Sequence, residues 1–213
     1  MPDTDSPALI LDDLMVMRGD VALCGALNMA VHAGEIWHIV GPNGTGKTTL
    51  LMMLAGLLPI QQGRLHWQGR AAQEWSTLYV GHLSGLNSSL SVLQNLQFLA
   101  NLSQQNTRIS HIDDALMQVG LAGYEDVPVA RLSSGQKRRV GLARLWLDPV
   151  PALWLLDEPL TALDVAMVER LNTRITQHAA QGGRVMLTSH QPVACVTHTV
   201  DLAQHVVVAE DDR

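Results

Sequence analysis

The spacing of apolar positions near the start of the chain predicts a small, mainly antiparallel β region. Short apolar stretches at residues 9–11, 14–17 and 27–31 are separated by polar turn residues, as in neighbouring strands. Residues 64–67 and 78–80 have the same character and predict two further short strands. The first part of the chain is therefore expected to be rich in strands.

Three longer apolar runs predict strands that are buried on both faces. Residues 36–40, 152–156 and 184–188 are almost continuously apolar and of strand length. A helix is predicted at about 48–57, after the first run, and another at about 165–180, between the other two. Strand–helix–strand order with continuous apolar strands is typical of a parallel sheet covered on both sides.

The middle of the chain has helical periodicity instead. Apolar residues recur at helical spacing over residues 91–122, and a further helix is predicted over 134–147. Ser91 and Ser110 are expected to cap two helices, and Gly120 is expected to end the second of them.

These elements fit one domain of 213 residues, spanning 1–213. We expect an α/β core formed by residues of about 9–83 and 150–208, interrupted by a helical subdomain at about 84–149.

Composition narrows the function classes. Apolar residues make up 47% and charged residues 16% of the chain, which is typical of a packed globular protein. The net charge of −6 argues against nonspecific nucleic-acid binding, and the densest basic cluster is only residues 137–139. Two distant cysteines, Cys24 and Cys195, are expected to be free thiols, and the histidines show no zinc-binding spacing.

The chain shows no sequence signal for crossing or entering a membrane. Its longest apolar run, residues 50–58, is much shorter than the roughly 20 residues that a membrane-spanning helix needs. The acidic residues 1–5 lack the apolar stretch of a signal peptide. We therefore expect a cytosolic protein without a membrane span, whose membrane role, if any, depends on a partner.

A glycine-rich loop between a predicted strand and a predicted helix carries the clearest chemistry. It has the spacing of a phosphate-binding P-loop, whose backbone N–H groups point at phosphate oxygens at the start of a helix. Its lysine can reach the β- and γ-phosphates, and the hydroxyl of the next residue can bind Mg²⁺. The residues of this loop are Gly41, Pro42, Asn43, Gly44, Thr45, Gly46, Lys47 and Thr48.

Polar residues follow the predicted buried strands. Asp157 and Glu158 come directly after the strand at 152–156, where ligands bind in parallel sheets, and Asp157 is a candidate Mg²⁺ ligand. Glu158 can polarise an attacking water, and His190 can donate a hydrogen bond to a γ-phosphate oxygen. A second anion site is predicted where a helix begins after a small-residue turn, at Ser133, Ser134, Gly135 and Gln136.

The order of these motifs resembles that of the ABC-type ATPases. The resemblance covers about residues 9–208 and implies a P-loop NTPase core of the RecA-like type with an inserted helical subdomain. It implies that ATP and Mg²⁺ are bound and that two copies sandwich ATP between the P-loop of one and residues 132–136 of the other. The roles that it implies are catalytic for Lys47, Glu158 and His190, metal-binding for Thr48 and Asp157, and nucleotide-binding for Thr49 and Asp164 beside the P-loop and residues 133–136.

Two positions depart from the family pattern. His82 stands where the family has a glutamine that senses Mg²⁺ and the transport partner. Near the N-terminus, Arg18 is the nearest equivalent of the aromatic residue that stacks on adenine, and a guanidinium can also stack on a base. The departures affect nucleotide affinity, not the reaction class.

Several stretches are similar to the ATP-binding subunit of the bacterial heme exporter of cytochrome c maturation: residues 81–86, 121–129, 138–147 and 190–192. That resemblance implies integral membrane subunits as partners and a peripheral location on the cytoplasmic face of the inner membrane. Heme export and ATP-driven release of a heme-loaded chaperone are both open. The alternatives are another ABC transporter or a soluble ATPase of iron–sulfur assembly, whereas a nucleic-acid ATPase or a simple P-loop kinase fits the motifs less well.

Overall fold

The structure is a computed structural model, and it describes residues 9–67, 76–81, 85–102 and 108–205. The strands and helices alternate much as the apolar pattern predicts. The strands are β1 (Leu9–Arg18), β2 (Val21–Val31), β3 (Ile36–Val40), β4 (Arg64–Trp67), β5 (Thr77–Val80), β6 (Leu153–Leu156), β7 (Arg184–Thr188) and β8 (His198–Asp201). The helices are α1 (Lys47–Leu54), α2 (Val92–Leu102), α3 (Ile109–Gln118), α4 (Ser134–Ala143) and α5 (Val165–Ala180).

Five strands form a parallel sheet in the order β5-β6-β7-β3-β8, and β2, β1 and β4 form an antiparallel sheet in that order. Alternate residues of β6 enter two different cores. Leu153 and Leu155 pack with the antiparallel sheet and α1, whereas Trp154 and Leu156 pack with residues of α2, α3, α4 and α5. The parallel sheet is therefore covered on both faces, as predicted, and the α/β fold class is confirmed.

The first two predicted strands are one strand in the structure. Residues 9–11 and 14–17 both belong to β1, whose register with β2 shifts between Leu11 and Leu14. Asp13 lies at this irregularity with φ of 44°, and its carboxylate accepts a hydrogen bond from the Asn28 side chain at 2.7 Å. A bulge rather than a turn thus interrupts the apolar pattern.

The predicted helix ends are right at some positions and wrong at others. Ser91 caps α2, and Gly120 has φ of 71° directly after the end of α3, as predicted. The expectation for Ser110 is wrong, because α3 begins at Ile109 and its N-cap is Arg108. The predicted helix at 134–147 ends as an α-helix at Ala143 and continues for one turn of 3-10 helix.

Other differences concern the ends of the parallel sheet and of α1. Strand β8 was not predicted, because its residues are partly exposed and do not form an apolar run. Helix α1 spans Lys47–Leu54, against the predicted 48–57. The division into a core and a helical subdomain stays a prediction. In the described ranges, every helix is too short or too polar to cross a bilayer.

Candidate active site

A cavity of about 350 Å³ opens where the carboxyl ends of β3, β6 and β7 meet. Ligands bind at this edge of parallel sheets. Predicted site residues from four separate parts of the sequence line it together. Its lining consists of Arg18, Leu23, Asn43, Gly44, Gly46, Lys47, Thr48, Thr49, Asp157, Glu158 and His190.

The glycine-rich loop connects β3 to α1 and depends on glycine at two close contacts. A side chain on Gly46, which has φ of 96°, would place its Cβ 2.8 Å from Val16 Cγ1. At Gly41 the corresponding Cβ would lie 2.8 Å from Thr45 Oγ1. Only glycine combines this backbone conformation with these close approaches.

Two features of the loop suit an anion. Helix α1 starts after Gly46 and has no side-chain cap, so the N–H groups of its first turn face the cavity end of the helix. The Lys47 ammonium donates to the carbonyl oxygens of Gly41 at 2.6 Å and Pro42 at 3.0 Å. The Lys47 ammonium thus lies against the carbonyl oxygens of its own loop, in the region where phosphates bind in P-loops.

Asp157 is buried, with 2% of its surface exposed, and its two carboxylate oxygens have different partners. The hydroxyl of Thr48 donates to Oδ2 at 2.9 Å, and that of Thr188 donates to Oδ1 at 2.7 Å. A hydroxyl and a carboxylate at hydrogen-bond distance supply oxygen ligands of the kind that Mg²⁺ prefers. Thr48 and Asp157 therefore fit the predicted metal site.

Glu158 adopts a conformation that is unusual for a residue with a side chain. Its φ is 50°, and its N–H donates to Thr188 Oγ1 at 2.9 Å. The Glu158 carboxylate accepts a hydrogen bond from the backbone N–H of His190 at 3.2 Å, and His190 Nε2 lies 3.5 Å from its other oxygen. Two of the three predicted catalytic residues, Glu158 and His190, are thus in direct contact at the cavity.

The second predicted anion site lies apart from the cavity lining. Ser133 caps α4: its hydroxyl accepts from the Gln136 N–H at 3.2 Å, and the Gln136 side chain accepts from the Ser133 N–H at 2.9 Å. This capping box holds residues 133–136 at the start of α4. Asp164 caps α5, accepting from the Met167 N–H at 2.9 Å, and also pairs with Arg139.

The remaining predicted residues have mixed outcomes. Arg18 lines the cavity from the end of β1. His82 lies outside the described residues. The basic cluster at residues 137–139 is not a surface patch, because Arg138 is buried and Arg139 pairs with Asp164.

The sequence reasoning missed two residues that support the acidic end of β6. Thr188 contacts both Asp157 and Glu158 through its hydroxyl. The guanidinium of Arg138 donates to the carbonyl oxygens of both residues, each at 2.7 Å. Burial lowers the pKa of Arg138, and the nearby Asp157 and Glu158 oppose that shift. A charged residue at a buried position of a helix was the available signal for Arg138.

Comparison with known proteins agrees with this geometry. A family model described as "ABC transporter" matches residues 24–161. The chain belongs to the ABC transporter family. The matched residues include the glycine-rich loop, residues 133–136 and the acidic end of β6.

Curated relatives define a narrower group. The chain is 46% identical over 194 residues to the cytochrome c biogenesis ATP-binding export protein CcmA of Yersinia pestis bv. Antiqua, covering 88% of each chain. It is 47% identical over 189 residues to the protein of the same name from Vibrio cholerae, covering 86% of this chain and 91% of that one.

Solved structures confirm the fold of the ABC-type ATPase. An ATP-binding protein of a putative ABC transporter from Pyrococcus furiosus has a TM-score of 0.81 at 24% identity, covering 94% of this chain and 100% of that one. A dimeric ATP-binding cassette in a post-hydrolysis state, bound to ADP and Pi, has a TM-score of 0.80 at 20% identity, covering 91% and 94%.

Proposed function

We propose that the protein is the ATP-hydrolysing subunit of a membrane complex that exports heme, or releases a heme-loaded chaperone, in cytochrome c biogenesis. The observation that carries this proposal is the similarity to CcmA proteins, at 46% identity over most of both chains. The cavity supports the ATPase part, because it combines a P-loop with the Asp157, Glu158 and His190 side chains.

The partners follow from the same proposal. Export requires a path through the bilayer, and no helix in the described part of the chain can provide one. Integral membrane subunits of a cytochrome c maturation system would supply that path. The protein would then lie on the cytoplasmic face of the bacterial inner membrane as a peripheral subunit.

The residues of the cavity have separate roles in the proposed reaction. The N–H groups at the start of α1 and the Lys47 ammonium hold the phosphates of ATP. Thr48 and Asp157 hold Mg²⁺, which neutralises phosphate charge when it is bound. Glu158 orients and polarises the attacking water, and His190, in contact with Glu158, donates a hydrogen bond to the γ-phosphate.

A second copy completes the site in this proposal. Residues 133–136 and Asp164 lie outside the cavity lining, at the starts of α4 and α5. In a head-to-tail dimer they close over the nucleotide of the neighbouring copy. The dimeric form of a structural neighbour supports this arrangement.

The proposal is tested in cells that express only the Lys47→Ala variant, with heme staining of c-type cytochromes as the readout. We expect loss of covalently hemylated cytochromes, while b-type cytochromes stay at their normal level. Arg64→Ala is the control, because Arg64 is an exposed cation on β4 outside the cavity lining. Equal amounts of the variants are confirmed by immunoblot.

The outcomes separate the general from the specific part of the proposal. Normal c-type cytochromes in the Lys47→Ala strain would remove the role in cytochrome c biogenesis and leave an ABC ATPase with another cargo. Loss of all heme proteins would indicate a defect in heme supply instead.

A further inference from the structure

Arg138 is a buried cation on α4 that binds three backbone carbonyl groups. Only 6% of its surface is exposed. One terminal nitrogen donates to the Gly81 carbonyl at 2.7 Å, and the other donates to the carbonyls of Asp157 and Glu158, each at 2.7 Å. A guanidinium presents its donors in a rigid planar fork, so it can hold several acceptors in fixed directions.

These carbonyls belong to the ends of two neighbouring strands. Gly81 follows β5, and Asp157 and Glu158 follow β6, with which β5 pairs. Arg138 therefore holds the backbone at Gly81, directly after β5, and at the two carboxylate residues directly after β6. Arg138 is not part of the cavity lining, and it contacts the site through the backbone of these residues.

The backbone at Glu158 needs such support. A φ of 50° lies in the left-handed region, which is unfavourable for a residue with a side chain. Such a conformation persists when its surroundings fix it from several sides. Thr188 holds the N–H of Glu158, and Arg138 holds its carbonyl.

Helix α4 also contacts the segment that follows Glu158. A Cβ on Gly135 would lie 2.8 Å from the carbonyl oxygen of Ala162, so the start of α4 packs closely on that segment. Arg139, the neighbour of Arg138, pairs with Asp164 further along the same segment. Helix α4 is therefore joined by direct contacts both to Glu158 and to the segment that follows it.

We propose that Arg138 is a positioning residue that couples Glu158 to α4 and so links hydrolysis in one copy to nucleotide closure in its neighbour. The proposal rests on the proposed function, in which the start of α4 closes over the nucleotide of a second copy. ATP bound in the cavity beside Glu158 then favours one position of α4 through the Arg138 hydrogen bonds. Hydrolysis, which changes the contacts of Glu158, releases that position.

Arg144 provides a matched control. It is also a buried arginine, with 8% of its surface exposed, and it directly follows the last residue of α4. Its guanidinium donates to the Tyr79 carbonyl of β5 at 3.1 Å, two residues before the Gly81 carbonyl that accepts from Arg138. Arg144→Lys therefore reports what the same substitution does at a second buried arginine that contacts this strand.

The test uses the full chain with Glu158→Gln, which is expected to bind ATP and to accumulate as a dimer. Arg138→Lys, Arg138→Met and Arg144→Lys are each added to this background. ATP-dependent dimerisation is followed by light scattering, ATP binding at low protein concentration by fluorescence, and the melting temperature by calorimetry. Lysine keeps the charge but has its donors on a single nitrogen, so it cannot span the Gly81 carbonyl on one side and the Asp157 and Glu158 carbonyls on the other.

We expect Arg138→Lys to raise the ATP concentration for half-maximal dimerisation at least tenfold, while monomer affinity for ATP changes less than threefold. Arg138→Met should be worse, and Arg144→Lys should dimerise normally at a similar melting temperature. Dimerisation of Arg138→Lys at the same ATP concentration as its parent would overturn the inference, as would an equal defect in Arg144→Lys. Failure of Glu158→Gln itself to bind ATP or dimerise would instead contradict the proposed function.

Discussion

A buried ionisable group lies near each end of β6, and the surroundings of the two groups differ: hydrogen-bond donors at one end and an aromatic ring at the other. At the carboxyl end, Asp157 is buried among hydroxyl groups that donate to both of its oxygens. At the other end, the His178 ring stacks on Trp154, with 3.8 Å between ring centroids and 7° between planes. Burial, and then the nearby Arg174, lower the pKa of His178 to about 4.

The carboxyl end of β6 is thus part of a site that can hold charged groups, whereas the other end is part of a core in which a charge is unfavourable. Hydrogen-bond donors around a carboxylate stabilise its ionised form, whereas burial against an aromatic ring favours a neutral imidazole. Substitutions at the carboxyl end should therefore change turnover with modest effects on stability. Changes at the other end should alter stability and leave nucleotide chemistry intact.

The largest effect is expected at the carboxyl end, for Glu158→Gln. The amide keeps the shape of the side chain but cannot polarise water as a carboxylate does, so turnover should fall about 10²- to 10⁴-fold. ATP affinity should change little. Steady-state ATP hydrolysis and equilibrium nucleotide binding measure the two quantities.

Glu169→Gln is the control for this substitution, because Glu169 is exposed on α5. It should hydrolyse ATP like the unmodified chain. Undiminished turnover in Glu158→Gln would remove Glu158 from its catalytic role.

The next largest effect concerns His178 and appears as a dependence of stability on pH. The unfolded chain binds a proton at the imidazole near pH 6.5, and the folded chain only near pH 4. Stability is therefore complete above pH 6.5 and decreases as the pH falls from 6.5 to 4. A pKa difference of this size corresponds to about 3 kcal/mol of unfolding free energy.

Denaturant unfolding at several pH values between 7 and 4 measures this loss. His178→Gln should be less stable at pH 7 but should have a flatter pH profile. His32→Gln, at an exposed position, should keep the original profile. A profile for His178→Gln as steep as that of the unmodified chain would show that other groups cause the loss.

The elements that could be predicted from the sequence are those whose signals are local. Lys47 donates to carbonyl oxygens of the glycine-rich loop itself, so the loop could be predicted from residues 41–48 alone. Strand β6 could be predicted because continuous apolar runs are typical of strands buried on both faces. Helix α5 was predicted at its observed bounds because its apolar spacing is helical throughout.

The residues that support the acidic end of β6 could not be predicted, because their role depends on contacts between distant parts of the chain. Arg138 and Thr188 lie 20 and 30 positions from Glu158, and in the sequence Arg138 is one member of a basic cluster. Strand β8 was missed for a similar reason: its exposed residues become a strand by pairing with β3. Ser110 has a residue type that favours caps, yet it lies inside the first turn of α3, which begins at Ile109.

A smaller effect is expected for Thr188→Val, which removes a hydroxyl without changing the shape of the side chain. Asp157 loses a donor and the N–H of Glu158 loses its acceptor, so stability should fall by about 1–3 kcal/mol. Turnover should fall about tenfold, because Glu158 is less firmly held.

Thr173→Val is the matched control, since Thr173 is exposed on α5 and its hydroxyl donates to the Glu169 carbonyl. It should change stability by less than about 0.5 kcal/mol. Loss of stability in Thr188→Val with unchanged turnover would mean that the hydroxyl supports packing but not the position of Glu158.

The smallest expected effect is at the rim of the cavity, where Arg18 extends from β1. If its guanidinium stacks on the base of ATP, the contact is worth about 0.5–1 kcal/mol, and Arg18→Ala should weaken ATP binding about two- to fivefold. Inorganic tripolyphosphate, which has no base, separates stacking from attraction to phosphate. Stacking predicts unchanged tripolyphosphate binding in Arg18→Ala and restored ATP binding in Arg18→Trp. An equal loss for both ligands would assign Arg18 to the phosphates and would rule out stacking of its guanidinium on the base.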